Sequence, residues 1–212
     1  MKTSDLIATL AADAKRPLVP LGRRMSLALA AGALVSLAAF MASLGPRPDI
    51  AAAAETVRFD LKFVDTLALL LPSALLCLRL SRPEAEPGAL LGWLAAPFVL
   101  LLGAVAVELA LVPSSLWESR IVGTNWLHCL TLIPLMSIAP LAALILALRE
   151  GAPSYPALTG ALAGAASAGI AATIYATNCT DDSPLFVVTW YPIATLVVVA
   201  AGALAGRRWL NW

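Results

Sequence analysis

Two cysteines lie beside side chains that alter thiol chemistry. Cys129 follows His128, the only histidine of the chain, and Cys179 closely precedes the carboxylates Asp181 and Asp182. An imidazolium beside a thiol favours the reactive thiolate, whereas nearby carboxylates disfavour it. Imidazole, thiolate and carboxylate groups are also ligands that zinc and cadmium accept. These residues therefore predict thiol redox chemistry or the capture of a soft metal.

The spacing of these residues argues against a permanent metal site. The sequence has no CxxC, HxxxH or HExxH pattern, and closely spaced ligands of that kind are typical of structural zinc sites. We therefore expect no resident metal, and a transient contact with a heavy metal stays open. Besides the two thiols, the candidate ligands for that contact are His128, Asp181, Asp182 and Glu108.

The two cysteine motifs belong to a chain that is too apolar for a water-soluble protein. Of its 212 residues, 60% are hydrophobic and 13% are charged, and the mean hydropathy is +0.87. This composition indicates a membrane protein that is embedded in the lipid bilayer. A net charge of +1 argues against direct binding of nucleic acid, which requires a basic surface.

Six segments reach the roughly 20 apolar residues that a helix needs to cross a bilayer. The predicted fold is therefore all-α, a polytopic membrane protein with a six-transmembrane-helix bundle. The fourth span begins just before Cys129, and the fifth ends just before Cys179. The predicted spans are 25–44, 61–80, 89–112, 126–148, 157–178 and 185–206.

Lysine and arginine residues are distributed unequally between the two sides of this bundle. Of the 14, only four lie on one side, and these are Arg47, Arg58, Lys62 and Arg120. Because basic residues accumulate on the cytoplasmic side of a membrane, we predict that both termini are cytoplasmic. The expected regions are a cytoplasmic tail at 1–24, the transmembrane domain at 25–206 and a cytoplasmic C-terminus at 207–212.

The topology places the two cysteines at the same membrane surface. Adjacent antiparallel helices bring the start of the fourth span level with the end of the fifth, so Cys129 and Cys179 should both face outward. The bacterial periplasm is oxidising, and a disulfide between them is the interpretation that we favour. Cys77, near the inner end of the second span, is expected to be a buried free thiol that packs as a small hydrophobe.

Two acids, Asp65 and Glu108, are predicted inside the spans near the same outer surface. Ionisable groups within a membrane usually face the interior of a bundle and indicate a functional site. Alternatively, both side chains reach toward water and pair with Lys62 or Arg120. The sequence leaves these two interpretations open.

Small and aromatic residues predict how the helices are arranged in lipid. Glycines at 160, 164 and 169 in the fifth span and at 202 and 206 in the sixth permit close contact between helices. We expect the fifth span to be central, and the contact could lie within one chain or in a homo-oligomer. The residues expected to anchor the helices at the membrane interface are Trp126, Tyr175, Trp190, Tyr191, Trp209 and Trp212.

The N-terminal tail predicts an amphipathic helix with a free apolar face. Thr3 or Ser4 can cap this helix and Pro17 ends it. Such a helix could lie on lipid or bind a protein, and two acids in the tail favour a protein over an anionic membrane surface. We predict that the contacts with that protein are made by Leu6, Ile7 and Leu10.

The chain resembles a known family in its short tail Ser-Asp-Leu-Ile-Ala-Thr-Leu-Ala-Ala-Asp, its six spans, and two motifs. These motifs are Trp-Leu-His-Cys at 126–129 and Asn-Cys-Thr-Asp-Asp-Ser-Pro at 178–184. The family is the NrsF type of integral-membrane anti-sigma factor, the negative regulators of sigma F of proteobacteria. The resemblance covers nearly the whole chain, and the cysteine motifs are its most specific part.

This resemblance implies that the protein is a regulator in the bacterial inner membrane. Its tail would hold an extracytoplasmic-function sigma factor until a signal reaches Cys129 and Cys179, and the family's signals include heavy-metal and oxidative stress. Cys77 lies outside the family pattern, so the resemblance implies no sensing role for it.

Two other functions stay open from the sequence. A small transporter would need a hydrophilic path through the middle of the membrane, whereas the acids cluster at one edge. A membrane thiol oxidoreductase would generally need a second cysteine pair to pass electrons on, and only Cys77 remains. The sequence shows neither a glycine-rich phosphate loop nor a recognisable nucleophile set, so we expect no enzyme and no cofactor.

Overall fold

The chain folds into an all-α bundle, as the apolar spans predict. The computed structural model describes residues 3–5, 7 and 20–211, and this part of the chain contains no strand. Six helical stretches are long and apolar enough to cross a membrane, judged by length and composition. The α-helices are α1 (Leu21–Ser43), α2 (Ile50–Ala53), α3 (Val57–Leu80), α4 (Ala96–Leu111), α5 (Trp117–Val122), α6 (Trp126–Leu148), α7 (Pro156–Ala176) and α8 (Pro184–Trp209).

The ends of the spans follow local signals that shift them by a few residues from the predicted positions. The hydroxyl group of Thr56 caps α3 by accepting a hydrogen bond from the Phe59 N–H at 3.4 Å. The third span keeps its predicted bounds to within one residue, but its first part, Gly88–Ala95, is a 3-10 helix. Pro97 has no N–H to donate to the Trp93 carbonyl, and this interrupts the α-helical hydrogen bonding.

Helix α7 lies at the centre of the bundle, which confirms the prediction for the fifth span. It contacts α1, α3, α6 and α8. In its most apolar stretch 72% of the residues are buried, against 11% to 39% for the other five spans. Its alanine and glycine side chains are small enough for four neighbours to approach its backbone.

The glycines of α7 and α8 face each other within one chain. A Cβ atom on Gly160 would collide with the carbonyl oxygen of Gly202, and one on Gly164 would lie 2.6 Å from the carbonyl oxygen of Val198. Facing stripes of small residues allow two helices to pack closely in lipid. The predicted close contact is therefore made between neighbouring helices of the same chain.

Two buried clusters divide the core along the helices. One contains Cys129 and Cys179, and we call this half of the molecule the Cys179 end. The other contains Cys77 and defines the Cys77 end. Leu21 at the start of α1 and Leu210 after α8 both pack at the Cys77 end. The first and last helices of the bundle therefore have their outer termini on one side.

Two of the predicted interface aromatics are core residues instead. Tyr175 and Tyr191 are 0% and 3% exposed, and their ring centroids lie 6.3 Å apart. The anchor prediction is wrong for this pair, because the rings point into the packed contact between α7 and α8. Trp209 is 54% exposed, as an interface anchor would be, and Trp212 lies outside the described residues.

Candidate functional site

Both thiols of the predicted pair lie in one buried cluster. Cys129 is in the first turns of α6, and Cys179 follows α7 by three residues. All three cysteines are free and buried, but Cys77 is at the opposite end with its Sγ 3.6 Å from the Thr159 carbonyl oxygen. Among the side chains that surround the pair are Phe40, Ile133, Tyr175, Phe186 and Tyr191.

The loop between α7 and α8, residues 177–183, is held by two buried cations. Lys62 of α3 is 1% exposed, and its Nζ lies 2.5 Å from Asp182 Oδ1 and donates to the Cys179 carbonyl oxygen at 2.9 Å. Arg47 Nη1 lies 2.8 Å from Asp182 Oδ2. Ion pairs that are shielded from water are screened little by salt. These contacts fix the loop against α3 and against the loop that follows α1.

Arg47 connects two loops at the Cys179 end. Its guanidinium donates two hydrogen bonds of 2.7 Å to the carboxylate of Asp49, and its backbone N–H donates to the Thr177 carbonyl oxygen at 3.0 Å. Asn178 Nδ2 donates to the Gly45 carbonyl oxygen at 2.8 Å. The hydrogen bonds to Asp49 raise the pKa of Arg47 and lower that of the Asp49 carboxyl group, so both remain charged near neutral pH.

Asp181 caps the start of α6 from a distant part of the sequence. Its carboxylate accepts the backbone N–H groups of Thr124 at 2.9 Å and Asn125 at 2.7 Å. These two amides immediately precede α6, and a negative charge is favourable near the N-terminus of a helix. Gly123 has a φ of +60°, and a Cβ on it would lie 2.9 Å from Asp181 Cγ. A glycine is thus required for this close approach.

Glu108 forms a second buried ionic contact at the same end. It is 3% exposed, pairs with Arg58 Nη2 at 2.7 Å and with Arg120, and accepts a 3.3 Å hydrogen bond from the Ser183 hydroxyl group. The predicted pair with Arg120 is therefore present. Glu108 itself does not reach water, and instead it attaches α4 to the beginning of α8.

The acidic residues suggested as transient metal ligands are occupied by protein groups. Asp181 binds backbone amides, while Asp182 and Glu108 bind cations. His128 is exposed although its neighbour Cys129 is buried. Among the described residues, no three His, Cys, Asp or Glu side chains are grouped to hold a metal ion. A metal could therefore use these carboxylates only after their present contacts open.

The surroundings of Cys179 suppress its reactivity in this conformation. Burial raises the pKa of the Cys179 thiol above its usual value, although the positive charge of Lys62 opposes this effect. The thiolate is the form that attacks oxidants and binds soft metals. At neutral pH the thiol is therefore protonated and protected by the packed loop.

The tail is only partly within the described structure. Ile7 is helical and 62% exposed. Thr3, Ser4 and Asp5 are also helical and exposed. The other two predicted contact residues, Leu6 and Leu10, lie outside the described residues.

The sequence did not predict the contacts of Arg47 and Lys62 with Asp182. Both residues were counted only among the four basic residues on the side predicted to face outward. Two signals could have indicated them. Lys62 stands at the start of an apolar span, where a charge needs a partner. Arg47 stands between Pro46 and Pro48, which restrict the backbone. Their common partner, Asp182, is remote in sequence and follows only from the folded arrangement.

Comparison with known proteins covers almost the whole chain. The family model described as negative regulator of sigma F, NrsF, matches residues 10–212. The probable anti-sigma-F factor NrsF of Azospira oryzae is 32% identical over 214 aligned positions, and the anti-sigma-F factor NrsF of Caulobacter vibrioides is 33% identical over 216. Both alignments cover 100% of this chain and of the relative. No solved structure matches.

Proposed function

We propose that this chain, which belongs to the NrsF family of negative regulators of sigma F, is a membrane-embedded anti-sigma factor. The observation that carries the proposal is the full-length relationship to two proteins named as anti-sigma-F factors. The activity would be reversible binding of a sigma factor, and it requires no catalytic group.

We assign the binding of the sigma factor to the N-terminal tail, residues 1–24. Its partner would be an extracytoplasmic-function sigma factor, and its contacts would be Leu6, Ile7 and Leu10. The exposed position of Ile7 supports this assignment, because an exposed apolar side chain on a helix can enter a groove on another protein.

The protein would lie in the bacterial inner membrane with both termini in the cytoplasm. The excess of basic residues in the tail, the second and fourth loops and the C-terminus supports this orientation. Leu21 and Leu210 pack at one end of the bundle, which agrees with termini on one side. The Cys179 end would then face the periplasm.

The signal would enter at Cys129 and Cys179. Oxidation to a disulfide, or capture of a soft metal by both thiolates, would link α6 to the loop between α7 and α8. His128, Asp181, Asp182 and Glu108 could contact the metal transiently. Since Lys62 and Arg47 hold this loop in its present position, such a link would compete with these contacts and shift the bundle toward a state that releases the sigma factor.

The experiment that tests the binding role is co-purification of soluble proteins with the detergent-extracted chain. A sigma factor should be retained by the wild type and lost when Leu6 and Leu10 are both changed to Asp. Truncation of an interface anchor commonly costs about 1 kcal/mol or more, and a charge in a dry groove costs further.

The matched control is Ala12→Asp, because position 12 falls on the opposite face of the predicted tail helix. This variant should retain the sigma factor. Equal retention by the Leu6/Leu10 double variant would refute the anchor assignment. Absence of any sigma factor from the wild-type preparation would refute the proposed function itself.

A further inference from the structure

A cavity of about 320 Å³ lies between α3, α4, α7 and α8. Its walls are mostly apolar and include Leu69, Phe98, Leu101, Ala165 and Leu196. Phe98 and Leu196 are 54% and 63% exposed, so the cavity borders the outer, lipid-facing surface of the bundle. A molecule dissolved in the bilayer can therefore reach it without crossing the packed core.

Two buried polar groups line this cavity without a hydrogen-bond partner. Asp65 is 6% exposed, and its Oδ1 atom makes no hydrogen bond within the described part of the chain. Tyr191 is 3% exposed, and its hydroxyl group is likewise unpaired among the described residues. Buried polar groups are almost always satisfied by a partner. A polar ligand in this cavity would supply the partner that these two groups lack.

No basic side chain of the chain serves as the counter-ion of Asp65 in the described structure. Lys62 is on the same helix one turn away, but its ammonium group is committed to Asp182 at 2.5 Å and to the Cys179 carbonyl oxygen. The described residues that line the cavity include no lysine, arginine or histidine. An unpaired carboxylate inside a membrane is costly, and a cationic ligand would remove this cost.

Two aromatic residues, Phe98 and Tyr191, are among those that line the cavity, and aromatic side chains are common partners of organic cations. The remaining apolar walls would select an apolar body for the ligand, as is usual for sites that bind small molecules. We propose that this cavity binds a small organic cation with an apolar body, with Asp65 as the counter-ion and the Tyr191 hydroxyl group as a second polar contact.

Three probes that share one apolar body and differ in charge test this proposal. Phenylbutylammonium, phenylbutanol and phenylbutanoate are dialysed against the chain in nanodiscs of zwitterionic lipid, and binding to empty nanodiscs is subtracted. The wild type should bind the ammonium probe at least about tenfold more tightly than the carboxylate probe. Equal chain-specific binding of all three, or none by the ammonium probe, would overturn the proposal.

Variants locate the charge preference. Asp65→Asn keeps the size of the side chain and removes its charge, so it should reduce the preference for the ammonium probe to within about twofold of the alcohol. Asp60→Asn changes an exposed acid on the same helix and should bind as the wild type does. Ala165→Leu should fill the cavity and weaken binding of the ammonium probe. An unchanged ammonium preference in Asp65→Asn would refute the assignment, whether or not Ala165→Leu folds.

Discussion

At the scale of single residues, Lys62 and Asp182 couple the thiol site to the rest of the membrane domain. Lys62 is buried on α3 and contacts both Asp182 and the carbonyl group of Cys179. Removing one member of a buried ion pair commonly costs about 3–5 kcal/mol, because the other charge is left without compensation. Any chemistry at Cys179 that moves its backbone must therefore move a buried charge as well.

The proposed switch predicts how cysteine variants respond to cadmium or an oxidant. In the wild type either agent should lower sigma-factor retention by at least about fivefold, as a coupling of 1 kcal/mol or more implies. Cys129→Ser, Cys179→Ser and the double variant should lose the response, because a single thiol cannot form the link. Retention is measured by co-purification from treated membranes.

Cys77→Ser is the matched control, since Cys77 is equally buried but lies at the opposite end. It should respond as the wild type does. Loss of the response in this variant alone would show that our proposal names the wrong thiols. An equal response in all variants would show that Cys129 and Cys179 have a structural role and do not sense the signal.

Because burial raises the pKa of Cys179, the cadmium response should weaken as the pH falls and the thiolate fraction decreases.

At the scale of helices, the contact between α7 and α8 predicts a sharp contrast between two glycine substitutions. Gly160→Ala should destabilise the bundle by about 1–3 kcal/mol, because the added Cβ would overlap the backbone of α8. The loss is measured as a lower midpoint of thermal unfolding in detergent.

Gly103→Ala is the matched control for this substitution. Gly103 is an exposed residue of α4, and no atom of the described residues lies within 4 Å of an added Cβ. Alanine favours a helix over glycine by up to about 1 kcal/mol, so this variant should be as stable as the wild type or more stable. If Gly160→Ala unfolds at the same temperature as Gly103→Ala, the close packing of α7 against α8 is incorrect.

The helices were predictable from sequence because the bilayer imposes length and apolarity on each span separately. The centrality of α7 was also predictable, since its glycines and alanines indicate close contact. The pairing of Lys62 with Asp182 was not, because it depends on how α3 meets a loop formed more than 100 residues later. Tyr175 and Tyr191 were misassigned for a similar reason, since proximity to a span end does not show whether a ring points to lipid or to the core.

At the scale of the whole molecule, α1 begins and α8 ends at the Cys77 end, opposite the thiol pair. In the proposed function, a signal that enters at the Cys179 end would have to act across the length of the helices to reach the N-terminal tail. Helices α6 and α7 both contribute to both clusters and both contact α1, so the two ends of the bundle are connected by packed side chains of two helices.

This topology predicts the activity of alkaline phosphatase fusions, which are active only outside the cytoplasm. Fusions after Ile121 or Asp181, near the Cys179 end, should be active. Fusions after Glu84 or Ala152, in the loops of the Cys77 end, should be inactive. The reverse pattern would place the thiols in the cytoplasm and exclude periplasmic sensing.

The cap that Asp181 provides for α6 has a consequence for biosynthesis. Translation produces Thr124 and Asn125 before Asp181, so the two amide groups that immediately precede α6 are made before the carboxylate that they bind in the finished protein. That carboxylate is made only after α7 has been synthesised. In the folded chain α6 and α7 therefore form a hairpin whose open end Asp181 closes only after both helices have been made.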